Sequence, residues 1–425
     1  MIGGSRRIKV ALVSSLNGQS DMKTSTTFSP AVIALILVLL VSSGCATNSF
    51  EAHEIDKASF VHRVITKEQE GVRVSAAVPT AEEVISFTSL DLYAQGIQPV
   101  WLEIENEESH PVRLALYSID DEYYSPMEVA WYFRKGYSRE GKAAMERWLY
   151  ENGMPRVIPP GETRTGLVFT HLVNGTKGFN VDAFTSNASF NFTFFVPLDG
   201  FRPDYMDVSF TDLYQPEDLR TVDMEGLREI LSGHDCCSTD ETESAIGDPM
   251  NIAIVATPVA LRRALLRSQW QETQSGSNAA SLARKHHFDG RIPDGTFHKA
   301  RPDGSERKEL RIWLSSIRFG DVPVWLAQAS YDISATNRDR SFLDYQIDPD
   351  VDDARLFVLQ SFWYNQSLAA FAFGEGIPAA TISLPKQNFA GSNWFTDGKR
   401  AVLFVVEKPV GMDETEILDW EQSHD

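Results

Sequence analysis

Five aspartates fall within "DYQIDPDVDDAR", the stretch from Asp344 to Arg355. Such a cluster can bind calcium, exchange protons in catalysis, or begin a helix. An EF-hand-type calcium loop needs acidic residues at alternate positions, glycine at the sixth position and glutamate at the twelfth. Counted from Asp348, the sixth residue is Asp353 and the twelfth is Leu359, so the stretch does not fit a calcium loop.

The same stretch fits the start of a helix. Asp348 is a favoured N-cap residue, and Pro349 suits the first turn because its missing N–H is not needed there. The next acidic residues favour the positive end of the helix dipole, and Arg355 can reach back three residues to one of them. These acidic residues are Asp350, Asp352 and Asp353, and the core-facing residues would be Ala354, Val358 and Phe362, with Phe357 on a neighbouring row.

A catalytic site is the alternative for these residues. "ASYDIS" places Asp332 at the end of a predicted strand, where α/β proteins often hold functional groups. If the chain also brought Arg291 and Asp348 to that point, the three would form a candidate site for acid–base chemistry. The sequence contains no nucleophile elbow, phosphate-binding loop, paired-cysteine motif or zincin motif.

Two other clusters contain metal-ligating residue types. "HHFDGR" holds His286, His287 and Asp289, but adjacent histidines on a strand point to opposite sides and do not easily share one ion. "GHDCCSTD" holds Cys236 and Cys237, without the ligand spacing of a zinc site. Adjacent cysteines can close only a strained eight-membered ring, so we interpret them as part of a flexible linker. We predict no metal and no cofactor.

The N-terminal region resembles an export signal. The apolar run 31–41 is too short to span a bilayer, which needs roughly 20 residues, but it suits the core of a signal peptide. Lys23 precedes the run, and small residues followed by Cys45 end it. This arrangement resembles a bacterial lipoprotein signal, although Ser42 stands where an aliphatic residue is preferred. An ordinary secretory signal and a short membrane anchor are the alternatives.

The lipoprotein resemblance implies that Cys45 is acylated and becomes the mature N-terminus, so that a lipid anchor holds the chain on the membrane. Ala46 in place of aspartate then implies the periplasmic side of the outer membrane. Residues 1–21 have no role in such a signal, so we expect translation to begin at Met22. The net charge is −20, from 39 basic and 59 acidic residues, which excludes nucleic acid as an expected partner.

The remaining sequence predicts an α+β, multi-domain chain. After the signal peptide (22–44) we predict a tether (45–58), a β-sandwich (59–200), a linker with one amphipathic helix (201–248), an α/β layered domain (249–410) and an acidic tail (411–425). Short apolar runs separated by turn residues indicate an immunoglobulin-like sandwich. "SPMEVAWYFRKGYSREGKAAMERWLYENG" has helical spacing and predicts an insertion capped by Ser125.

In the layered domain, "MNIAIVAT" and "KRAVLFVVEK" predict strands, "PVALRRALLRSQW" predicts a helix, and "KELRIWLSSI" with "VPVWLAQASYDI" predicts a hairpin. These stretches, together with "HFDGRIPDGTFHK", "IDPDVDDAR" and "NWFTDGKRAVLF", resemble the LssY C-terminal domain family. That family occurs alone or behind membrane modules, including a phosphatidic-acid-phosphatase-like one, and its activity is unassigned. Histidines that the family tends to carry are replaced here by residues 306–309 and by Tyr345 or Gln346.

The features together favour a non-catalytic envelope lipoprotein that binds a ligand or an envelope protein near the membrane. A lipid or phosphate-ester hydrolase, or an accessory of a membrane phosphatase, is the alternative, with Arg291, Asp332 and Asp348 as its site. A structural role in secretion or surface assembly is a third possibility that the sequence does not separate from the first.

Overall fold

A computed structural model describes residues 48–173, 175–198, 200–300, 307–332 and 347–420. The predicted signal peptide, Cys45, Asp344 and the residues Tyr345 and Gln346 lie outside these ranges. Among the residues described, no helix is both long and apolar enough to cross a membrane.

Eight strands form the N-terminal domain. They are β1 (Ile65–Gln69), β2 (Val72–Ala77), β3 (Ile97–Asn106), β4 (Val112–Ala115), β5 (Val157–Ile158), β6 (Glu162–His171), β7 (Lys177–Phe184) and β8 (Ser189–Val196). One sheet has the order β1-β2-β3-β6 and the other β5-β4-β7-β8. All pairs are antiparallel. The chain alternates between sheets as in an immunoglobulin-like Greek key, with β2-β3-β6 and β8-β7-β4 in the places of A-B-E and G-F-C. The predicted sandwich is confirmed.

Three helices cover one side of this sandwich: α1 (Ala81–Thr88), α2 (Pro126–Phe133) and α3 (Arg139–Glu151). The last two form the predicted insertion between β4 and β5. Ser125 caps α2 in a reciprocal capping box with Glu128, because serine at the N-cap and glutamate three residues later satisfy each other's backbone N–H groups. The helices bury Val129, Met145 and Leu149 against the sheet.

The predicted tether is folded over its described part. Phe50 packs against Tyr137 and Trp148 of the helical insertion, Ile55 packs against the same hydrophobic cluster, and a short 3-10 helix follows at Lys57–Ser59. Partial burial of these two apolar side chains favours the folded position of "NSFEAHEID". Further 3-10 helices lie at Val61–Arg63, Tyr93–Gln95, Leu116–Ser118, Asp204–Asp207 and Pro216–Asp218.

The predicted linker 201–248 is instead part of the C-terminal domain. It contains β9 (Arg220–Val222), α4 (Met224–Gly233), β10 (Cys237–Thr239) and β11 (Ile246–Pro249). The amphipathic helix is confirmed, and its buried residues Leu227 and Leu231 cover the large sheet. The polar stretch "STDETESAIGD" forms the end of β10, a hairpin turn and the start of β11 rather than a linker.

The C-terminal domain also contains β12 (Ile252–Val255), α5 (Pro258–Arg267), β13 (Gln271–Glu272), α6 (Asn278–Ala283), β14 (Gly295–Ala300), β15 (Arg307–Phe319), β16 (Val322–Asp332), α7 (Val351–Tyr364), β17 (Leu368–Gly374), β18 (Lys386–Gln387), β19 (Asn393–Trp394), β20 (Arg400–Val405) and β21 (Glu416–Ile417). It is built around one nine-stranded mixed sheet, ordered β13-β14-β15-β16-β12-β20-β17-β21 with β9 also on β15. The predicted strands, helix and hairpin are all present.

Helices lie on both faces of this sheet, which confirms the layered arrangement. Leu261 and Leu265 of α5 and Val358 and Phe362 of α7 pack on one face. Helix α4 packs on the other face. The predicted acidic tail joins the fold through β21, which pairs with β17, and through the buried Trp420.

Cys236 and Cys237 form a disulfide with each other. Cys237 is buried in β10 opposite Pro249, and Cys236 packs beside it near Trp394. The interpretation of the pair as part of a flexible linker is therefore wrong. Pairing of β10 with β11 holds both residues in the domain, and the adjacent sulfurs close the ring.

Candidate functional site

The three residues of the predicted catalytic site do not converge. The backbone N–H of Asp348 donates to Tyr331 O at 2.8 Å, so Asp348 and Asp332 are neighbours. Arg291 donates to the Leu314 carbonyl at 2.7 Å. Leu314 lies seven residues along β15 from Arg307, the residue opposite Asp332, which corresponds to roughly 23 Å along a strand.

Arg291 has a local structural role instead. Its guanidinium donates to Asp294 Oδ1 at 2.6 Å and to Tyr214 Oη at 3.0 Å. Asp294 in turn accepts from the backbone N–H of Leu314 at 2.6 Å. These bonds fix the loop before β14 to the middle of β15.

The aspartate stretch begins a helix, as predicted, but the N-cap is Asp350 and not Asp348. The side chain of Asp350 accepts from the Asp352 N–H. Asp348 Oδ1 accepts from the Asp350 N–H at 3.0 Å, a local turn before the helix. The shift arises because an aspartate two residues later provides the same cap, so the sequence holds two competing N-cap positions.

The same stretch fastens α7 to a distant loop. Buried Arg355 forms two 2.9 Å bonds with the Asp397 carboxylate and lies 3.4 Å from Asp352, as its spacing predicts. Asp352 also accepts from Thr396 Oγ1 at 2.6 Å and from the Asp397 N–H at 2.7 Å. The carboxylates are thereby used within the fold, and in the described ranges no group of three or more ligand-type residues could hold a metal ion.

A buried polar cluster lies beneath the β10–β11 hairpin. His286 Nδ1 is 3.4 Å from Ser238 Oγ and 3.9 Å from Asp248 Oδ2. Burial raises the pKa of Asp248 and holds the pKa of His286 well below its usual value. A Ser-His-Asp triad uses the two imidazole nitrogens for different partners, whereas both contacts here are to Nδ1. The cluster does not have hydrolytic geometry.

A cavity of about 890 Å³ lies between the two domains. The sandwich lines it with the segment after β4 and with β7, and the C-terminal domain lines it with α5 and the residues that follow. We call this cavity the interdomain cleft. Its volume is in the range of small-molecule binding sites, and interfaces between domains are common places for them.

Four cationic side chains line the cleft: Lys177, Arg263, Arg267 and Lys299. Lys177 is 3% exposed, and its ammonium group donates to the His171 carbonyl at 2.6 Å. Lys299 donates to the Ser268 carbonyl at 2.7 Å. Arg267 has no hydrogen-bonded or ion-paired partner in the part of the chain that the structure describes.

Burial of these cations is only weakly compensated by the protein. It lowers the pKa of Lys177 to about 8 and also lowers the pKa of Lys299, Arg263 and Arg267 below their usual values. A lowered pKa means that the site disfavours the charged form. An anion in the cleft would relieve this cost.

The acidic groups of the cleft are mostly occupied elsewhere. Glu272 accepts from Arg262 at 3.1 Å, and Asp120 accepts from the His171 backbone N–H at 2.7 Å with the imidazole 3.2 Å away. Burial raises the pKa of Asp182, which bonds to Asn191. Asp121 and Glu122 are exposed at the rim. Asp182 is the carboxylate that acts on both Arg263 and Arg267, and burial disfavours its charged form.

Residues 229–399 match the family model described as LssY C-terminus. The chain carries an LssY C-terminal-like domain. The match begins within α4 and includes β10 and β11. No curated protein matches the chain.

The LssY C-terminal-like domain supplies only one wall of the cleft. Arg263, Arg267 and Lys299 belong to it, whereas Lys177 belongs to the sandwich. Sequence reasoning missed this site because the walls are separated by about 90 residues and no motif joins them. A lysine at the start of the apolar run "KGFNVDAF" was the only local indication.

Proposed function

We propose that the chain is a non-catalytic binding protein of the cell envelope, anchored through Cys45, that holds a small anionic ligand in the interdomain cleft. The observation that carries the binding proposal is the set of cations around the buried Lys177, whose charged forms are disfavoured by burial and only weakly compensated by nearby carboxylates. Lysine is rarely buried unless it is paired. A bound carboxylate, sulfate or phosphate group would provide the missing partner.

The envelope location has separate support. A disulfide joins Cys236 and Cys237, and disulfides persist mainly in oxidising compartments such as the periplasm. The acylated Cys45 implied by the signal-like N-terminus would hold the protein at a membrane there. The hydrolase alternative loses its support, because Arg291 lies far from Asp332 and Asp348.

Thermal melting with inorganic phosphate as the probe tests the cleft. We expect phosphate, compared with chloride at equal ionic strength, to stabilise the full chain by about 1.4 kcal/mol at ten times its Kd. Lys177→Met and Arg267→Gln should abolish the shift. Lys285→Met is the matched control, because Lys285 is exposed and does not line the cleft. Equal phosphate shifts in all four proteins, or no shift in the wild type, would contradict the proposal.

The pH dependence gives a second prediction. Lys177 has a pKa of about 8 in the folded chain and about 10.4 when unfolded. Between these values the unfolded state binds more protons, so the free energy of unfolding of the unliganded protein should rise with pH. Over the same range Lys177 loses its charge and sulfate affinity should fall. Sulfate is the probe because its charge stays constant.

The Lys177→Met variant provides the control for pH. Its stability should exceed that of the wild type near pH 7, and the difference should shrink as the pH rises past 8. Parallel stability curves for the two proteins from pH 7 to pH 10 would show that Lys177 is not a buried, charged group in the cleft.

A further inference from the structure

The described chain enters the fold beside the connection between α2 and α3. Asn48 pairs with Tyr137, and its carbonyl accepts from the Ser138 N–H at 3.2 Å. A Cβ on Gly141 would lie 2.9 Å from that same carbonyl, so glycine permits the close approach. Asn48 is three residues from Cys45, a span of at most about 11 Å.

The insertion exposes large apolar side chains on α2. Trp131 is 68% exposed and Tyr132 is 52% exposed, and Met127 lies one turn before Trp131 on the same stripe. The opposite side of α2 is buried through Val129 and Ala130. Hydrophobic packing within the domain therefore does not explain the exposed stripe.

Basic residues accompany the aromatic ones. The Arg134 guanidinium lies 3.9 Å from the centre of the Trp131 ring. "WYFRKGYSR" contains Arg134, Lys135 and Arg139 and no acidic residue, in a chain with a net charge of −20. Tryptophan and tyrosine favour the interface between membrane and water, and basic residues favour anionic headgroups.

We propose that the α2–α3 insertion docks on an anionic phospholipid surface, with Trp131 and Tyr132 among the headgroups and Arg134 and Lys135 at the lipid phosphates. The inference rests on the proposed anchoring at Cys45, because the short span from Asn48 would hold this face against the bilayer. Docking would add a second attachment to the lipid anchor and fix the orientation of the whole body.

The test replaces the natural anchor with an artificial one. A chain from Ala46 onward, which keeps every described residue, is tethered by an N-terminal hexahistidine tag to vesicles of phosphatidylethanolamine, phosphatidylglycerol and a nickel-chelating lipid. The measured quantities are vesicle affinity and quenching of tryptophan fluorescence by headgroup spin-labelled lipid. The variants are Trp131→Phe, the double change Trp131→Ser with Tyr132→Ser, and Tyr364→Ser as control, since Tyr364 is equally exposed at 68% on the other domain.

We expect the double variant to lose about tenfold in vesicle affinity, Trp131→Phe to lose most of the quenching, and Tyr364→Ser to behave as the wild type. Equal affinity and equal quenching in all the proteins would overturn the inference, and would leave an envelope protein as the occupant of this face. The tether does not depend on acylation, so this assay tests docking separately from anchoring. If the protein docks in the assay but Cys45 is unmodified in cells, only the anchoring proposal is refuted.

Discussion

Charged side chains in this chain are used in two different ways. Asp350, Asp352 and Asp397 accept hydrogen bonds from backbone N–H groups and from the Arg355 guanidinium, so these carboxylates already have partners inside the fold. In the cleft, Lys177 and Lys299 donate to backbone carbonyls and Arg263 donates to the Asn191 side chain, so no cation there has a carboxylate as its hydrogen-bond partner among the described residues. Residues that cluster in sequence are thus structural, and residues that cluster only in space form the candidate site.

Replacement of the N-cap residue gives a prediction at this scale. Asp350→Ala should lower the free energy of unfolding by about 0.5–2 kcal/mol, because the Asp352 N–H loses its acceptor. The exposed Asp353→Ala should cost less, since Asp353 acts only through the helix dipole. Calcium should shift neither melting curve. A calcium-dependent rise in Tm that disappears in Asp350→Asn would restore the metal interpretation.

The sequence predicted residue contacts that are close along the chain and missed those that are distant. The Asp352–Arg355 pair follows from the helical period and is present. The bond from Arg355 to Asp397 spans 42 residues, and no local spacing indicates it. The buried network around Asp248 and His286 was missed for the same reason.

At the scale of elements, α5 holds the two domains together. Arg262 on this helix donates to Thr176 Oγ1 at 3.1 Å in the sandwich, and Leu266 packs on Gly178 of β7. A Cβ on Gly178 would lie 2.7 Å from Leu266 Cδ1 and 2.9 Å from its Cβ. Glycine is therefore required there for the helix to approach the strand and close the cleft.

Gly178→Ala should displace α5 from β7. We expect a loss of about 1–3 kcal/mol in the free energy of unfolding and a weaker phosphate shift, because the cleft walls separate. Gly233→Ala is the control, since nothing lies within 4 Å of its added Cβ. A Gly178→Ala protein with unchanged stability and an unchanged phosphate shift would show that this contact does not set the cleft.

Element prediction succeeded where apolar periodicity was strong. The β15–β16 hairpin and α5 are present as predicted, because long alternating or helical patterns leave few other structures. The segment 201–248 was misjudged, since its strands β9, β10 and β11 are three or four residues long. Strands that short depend on partners far away in sequence, and a polar turn between them looks like a linker.

At the scale of the molecule, the fold determines where the N-terminal segment, the insertion and the cleft lie on the two domains. The N-terminal segment meets the insertion at Asn48, and the cleft opens between the sandwich and the LssY C-terminal-like domain. An anchor at Cys45 would keep this body within a short distance of the membrane. The strongly acidic body would not be retained there by charge alone, since anionic headgroups repel it.

The decisive measurement is the mass of the mature N-terminal peptide from the chain produced in a bacterium, compared with Cys45→Ser. One acyl chain binds a membrane only marginally, whereas a diacylglyceryl group with an amide-linked chain is a stable anchor. We predict a peptide that begins at Cys45 and carries these groups, partition of the wild type into detergent, and a variant that stays uncleaved or appears without lipid. An unmodified peptide from the wild type, with the variant still cleaved near position 45, would contradict the anchored account.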